Sequence, residues 1–118
     1  MTTTRTDPAA LVRQARDLIE ELNHVVLDDA GTLSAPALSD TVQALKSLVE
    51  RLPQAFEQTG TALVMLADQD KVVLDNGQDP KAATTQVAAE LRAVAASSEQ
   101  LARDLSHPAS ALFLMGGR

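Results

Sequence analysis

Asp17, Glu20 and Glu21 stand about one helical turn apart, the spacing with which helical phosphohydrolases offer carboxylates to a divalent metal. One helix reaches only one side of a metal, so that chemistry also needs carboxylates turned inward from a second helix. The apolar stripes of this chain carry none. Arg13, Arg16 and Asp17 read instead as a charged outer face with helix-spaced pairs, and a metal-dependent hydrolase would lack its second set of ligands.

A second acidic group, Asp68, Asp70, Asp75, Asn76, Gly77 and Asp79, invites comparison with a calcium loop. That loop alternates oxygen ligands at its first, third and fifth positions and closes on a glutamate at the twelfth. Here Lys71, Val72 and Val73 interrupt the series, which leaves a solvated acidic loop carrying helix caps. His24 and His107 have no nearby cysteine or serine-centred motif, so no nucleophilic triad is indicated. His24 reads as a partner for a helix C-terminus and His107 as part of a stop beside Pro108. No catalytic residue, metal ligand or cofactor site is assigned, and the chain is read as a non-enzyme.

Composition narrows the partners. The net charge is −6 over 118 residues, and the cations form no stripe, so direct binding of a nucleic-acid backbone is not expected. Cysteine is absent, which removes disulfides and thiolate metal sites. The N-terminus lacks the apolar region of a secretory signal, and no apolar run approaches the roughly 18 residues of a membrane span. The expectation is a soluble, cytoplasmic protein with no membrane association.

The elements are helical. Apolar residues make up 45% of the chain, yet Phe56 and Phe113 are its only aromatics, so a core must be built from Leu, Val and Ala. The periodicity predicts an all-α fold, an antiparallel bundle of three main helices in a single domain over residues 1–118. A flexible N-terminus covers 1–7. Helix one covers 8–30, starts at the cap Asp7-Pro8 and ends where Gly31 can supply a left-handed residue. Helix two covers 35–70, and its apolar residues keep steps of four and three from Leu38 to Leu66, with Thr59 the one polar exception. A connection over 71–79 includes Val72, Val73 and Leu74 as a short extended piece. Helix three covers 80–106, with Val87, Leu91, Val94, Leu101 and Leu105 in its seam and His107-Pro108 as its end. An apolar segment follows over 107–118.

The stretch LVERLPQAFEQTG, residues 48–60, puts proline and glycine into the longest apolar run. Proline in a helix interior costs about 3 kcal/mol and glycine about 1. The apolar register nevertheless passes unbroken through Pro53, with no new capping residue beside it. One long helix kinked at Pro53 and loosened near Gly60 is expected, its bend letting a helix of about 50 Å follow shorter partners.

Two surfaces stand out for interaction. Phe56, Leu63 and Leu66 lie on the far half of helix two. Leu112, Phe113, Leu114 and Met115 are consecutive, and four adjacent large apolar residues cannot all face one side of a helix. They either fold over the open end of their own bundle or meet another chain. Thr59 and Ser98 are polar breaks in two seams, placed to bond each other or a backbone carbonyl.

The segment Leu52-Pro53-Gln54-Ala55-Phe56, the turn Leu74-Asp75-Asn76-Gly77, the Asp79-Pro80 start and the run Gln100-Leu101-Ala102-Arg103-Asp104-Leu105 together resemble a class of small, alanine-rich, uncharacterised actinobacterial helical proteins. The likeness spans roughly residues 38–112, and its motifs are structural. It implies a bacterial cytoplasmic setting and no catalytic residues. The functional expectation is a helical protein–protein interaction or assembly module, self-associating or bound to another protein. A small-ligand-binding bundle with a cavity near Thr59 and Ser98 is the alternative.

Overall fold

The computed structural model describes residues 6–116. Most of the N-terminus expected to be flexible, residues 1–5, and the last two positions of the apolar segment lie outside the described residues. Among the described residues the structure is all-helical, with α1 (Pro8–Asp28), α2 (Ala35–Val49), α3 (Leu52–Asp68) and α4 (Pro80–Phe113). The chain divides into two compact units, residues 1–34 and 35–118.

The first unit is built on α1. Asp7 caps it by accepting the Ala9 amide at 3.1 Å, with Pro8 in the first turn, where a missing N–H costs nothing. Arg13 reaches back to Asp7 at 3.4 Å and Arg16 pairs with Asp17 at 3.0 Å. Asp17 thus belongs to a solvated charged face. No residue of α1 is buried, and Leu11, Val12 and Leu18 are exposed. The helix does not close on Gly31 as expected. The Asp29 carbonyl instead accepts the amides of Thr32 (2.9 Å) and Leu33 (3.1 Å) and the Thr32 hydroxyl (2.8 Å). With the chain turned this way, no left-handed residue is required.

In the second unit three helices pack together, α4 against both α3 and α2. The single helix expected over 35–70 is two helices, because Glu50 and Arg51 form a turn between them. The Arg51 amide donates to Leu48, three residues back, at 3.1 Å, the tighter pattern of a terminating turn. The α2 and α3 axes are bent by 21°. The helices that pack together are therefore α2, α3 and α4.

The seam explains how they pack. On α4 the inward positions step by four and three, and Ala88, Ala95, Ala102 and Ala109, seven apart, are all buried. Between them lie buried Ser98 and half-buried Leu91, Leu105 and Leu112. The opposing buried row is Ser39, Pro53, Gly60 and Ala67, with half-buried Lys46 in the same seven-residue register. A sustained seven-residue repeat keeps one narrow stripe facing its partner. Here the buried positions of that stripe carry only alanine, glycine, serine, threonine and proline. Val87, Val94 and Leu101, expected in the seam, sit one position to its side and are 42%, 44% and 50% exposed. Alanine and glycine let backbones approach closely, and the bulkier neighbours are displaced to the flanks. No large side chain among the described residues is fully buried.

Gly60 lies inside the continuous helix α3 rather than loosening it, and it marks the close approach. A Cβ built there would stand 3.2 Å from the Ala88 Cα and 3.3 Å from the Ala88 Cβ.

α4 also runs past the end expected at 106, through His107 and Pro108 to Phe113. Pro108 is exposed, while Ala109 is buried and Leu112 half-buried in unchanged register. The packing row carries the helix across a proline that costs about 3 kcal/mol in isolation.

The connection has no strand over Val72, Val73 and Leu74; Val73 is exposed, and its two neighbours are half-buried. α3 closes with Asp70 left-handed at φ 58°, the Asp70 amide on Ala67 at 3.1 Å and the Lys71 amide on Leu66 at 2.9 Å. This is a Schellman motif with aspartate where glycine is usual. Gly77 turns at φ 75°, Asn76 Oδ1 accepts the Gln78 amide at 3.1 Å, and Asp79 caps α4 through the Lys81 amide at 3.3 Å.

Candidate interaction surface

Two rows of large apolar residues border the small-residue seam. On α4 the row is Val87, Val94 and Leu101, each one position before a buried alanine. On α2 and α3 it is Leu38, Leu45, Leu52 and Leu66, each one position before a member of the opposing buried row. All seven are half-buried or exposed. The seven-residue register fixes them on one flank of each helix.

The other flank differs. One position after half-buried Val49, Phe56 and Leu91 and buried Ser98 come Glu50, Glu57, Arg92 and Glu99, all exposed. Lys46 bonds Glu50 across one turn at 2.7 Å, and this hydrogen bond and charge hold the Glu50 carboxyl below the ordinary glutamate value. Each arm of the seam therefore has an apolar side and a charged side.

The expected interaction residues separate into two groups. Phe56 and Leu63 are half-buried, alternating with buried Pro53, Gly60 and Ala67, so they pack toward their own unit. Leu66 is 42% exposed and belongs to the apolar flank. Leu112 continues the inner row of α4, whereas Phe113, Leu114 and Met115 are exposed, Leu114 by 84%. Pro53 and Gly60 are both buried in the seam.

The polar groups that raised other chemistries are engaged locally. Thr59 donates to the Ala55 carbonyl at 2.8 Å and Ser98 to the Val94 carbonyl at 2.9 Å; buried Thr84, a further polar residue of α4, donates in the same way to the Pro80 carbonyl at 2.8 Å. Thr59 and Ser98 do not bond each other. No buried side-chain nitrogen or oxygen among the described residues lacks a partner. Among those residues no three acidic or imidazole groups are placed to hold a metal ion, and no helix is long and apolar enough to cross a membrane. In the acidic connection, Asp70 terminates a helix, Asn76 shapes a turn and Asp79 begins the next helix.

Comparison with protein-family models, curated proteins and solved structures finds no match for the chain. Its functional reading therefore rests on the surface itself.

The sequence contained the flanking rows, but their bulk made them look like core. The signal that separates them is the strict recurrence of alanine at 88, 95, 102 and 109, which marks the true seam.

Proposed function

We propose that the chain is a non-enzymatic helical assembly module that self-associates through the apolar flank of residues 35–118. The observation that carries this reading is the inversion of bulk. Small residues fill the seam, and large apolar side chains border it in register on both arms.

An antiparallel course of α3 and α4 is part of the reading. Its support is the approach of Gly60 to Ala88, two residues equally far from the connection that joins the helices. On that course Leu52 comes level with Ala96, within a turn of Val94, and Leu45 with Arg103, within a turn of Leu101. The two rows then form one apolar face, and Glu50, Glu57, Arg92 and Glu99 lie on the reverse. Pro53, in the first turn of α3, has no amide to donate to Val49, and the reading assigns the 21° bend between α2 and α3 to this stretch.

Completing the burial of a half-exposed Leu or Val is worth about 1 kcal/mol. Over both rows that is about 5–10 kcal/mol per copy, against an association cost of about 4–15 kcal/mol. A dimer that forms and dissociates with concentration is the expected outcome. The resemblance to small actinobacterial helical proteins supports a bacterial cytoplasmic setting for it. Light scattering during size exclusion across a range of concentrations tests the proposal: mass should rise with concentration, and a constant monomer mass would overturn it.

A further inference from the structure

The edge charges of the apolar face constrain how a second copy can lie on it. On α4, the positions outside Val87, Val94 and Leu101 are Glu90, Ser97 and Asp104, all exposed and seven residues apart. The two acids are therefore placed symmetrically about Ser97. If α4 packed antiparallel on α4 of a second copy about Ser97, Glu90 would face Asp104 of the copy, and the pair would occur twice. Like charges directly opposed at a closing interface destabilise it and act against that arrangement.

The corresponding edge of α2 and α3 is different. Its outer positions Leu48, Ala55 and Ala62 carry no charge. The charge on the next row outward is Arg51, exposed, with its guanidinium on the Ser47 carbonyl at 2.7 Å and hydroxyl at 2.8 Å. Arg51 precedes Gly60 by as many residues as Ser97 follows Ala88, so on the antiparallel course proposed above the Gly60 to Ala88 approach puts Arg51 at the level of Ser97. That level is midway between Glu90 and Asp104.

We infer that the partner is a second copy seated with α4 over the α2–α3 arm of the other chain, so that Arg51 of each copy lies between Glu90 and Asp104 of its partner. The two-fold axis then runs along the helices. Both cross-chain contacts are equivalent, and each joins an acidic edge to an uncharged or basic one. The inference rests on the self-association proposed above and adds its orientation.

The natural absence of cysteine makes single-cysteine variants a clean test. Leu48 and Ser97 are exposed edge positions. The full-length Leu48→Cys and Ser97→Cys chains would be mixed in equal amounts, oxidised, and resolved without reductant, with the mass of each checked first by light scattering. The expected product is the mixed disulfide, in excess over either like-with-like disulfide. A dimer by mass in which Ser97→Cys links mainly to itself would overturn the orientation and place α4 on α4. A dimer by mass with no link would show that another face is used. A monomer by mass at every concentration would remove the self-association on which the inference stands.

Discussion

Gly60 packs closely on Ala88: a Cβ on the glycine would stand 3.2 Å from the Ala88 Cα. This one approach sets the spacing of α3 and α4 and, through it, the displacement of larger side chains to the flanks. It also turns the two poorest helix formers of the central run, Pro53 and Gly60, into members of the packed row.

The seam is accordingly intolerant of bulk. Ala88→Leu is expected to destabilise the second unit by about 1–3 kcal/mol, the usual cost of overpacking. Gly60→Ala gains about 1 kcal/mol of helix propensity but crowds Ala88, so its net effect should be small. Denaturant unfolding of both variants checks this, and an unchanged midpoint for Ala88→Leu would contradict the packing.

Asp70 holds a left-handed conformation at φ 58°, which a side chain makes costly. Asp70→Gly should therefore stabilise the fold by about 1 kcal/mol, and Asp70→Val should destabilise it. Thermal unfolding monitored by circular dichroism would show the two midpoints moving in opposite directions.

Pro108 stands on the exposed side of α4 in a helix that continues to Phe113. Replacing it by alanine restores an amide able to donate to Asp104. Pro108→Ala should raise helicity and stability, by up to about 3 kcal/mol. A fall in helicity would mean that the chain needs the proline to shape its end.

The Lys46 to Glu50 pair fixes a pH dependence. Lys46 donates to Glu50 at 2.7 Å, and this holds the carboxyl below its ordinary value. A group whose folded value is depressed contributes stability that is complete above its unfolded value and is lost as pH falls through the folded one. Stability should therefore decline on acidification below the ordinary glutamate range, and Glu50→Gln should flatten that part of the profile. Glu50 is exposed, so the effect is modest and salt-sensitive.

Much of this architecture was legible in the sequence, and its failures have specific causes. The capping pairs Asp7-Pro8 and Asp79-Pro80 begin α1 and α4 in the structure, because local carboxylate-to-amide bonds depend little on distant contacts. The helical character of residues 35–68 followed from its register, but the turn at Glu50 and Arg51 did not, since an unbroken apolar period conceals a local break. Pro108 misled in the opposite direction, because burial of Ala109 and the inner position of Leu112 outweigh a proline's local preference. The candidate surface was the least legible part. Large apolar residues ordinarily mark a core, and only the close approach of two backbones reveals that Val94 and Leu101 were displaced from it.

Self-association, as proposed, runs through this displaced apolar face. The most direct test is sedimentation equilibrium of the native chain beside Val94→Glu/Leu101→Glu, two changes at half-exposed positions outside the buried seam. The native chain is expected to form a concentration-dependent dimer, and the double variant a folded monomer, helical by circular dichroism. A native chain that stays monomeric throughout, or a double variant that dimerises equally well, would contradict it.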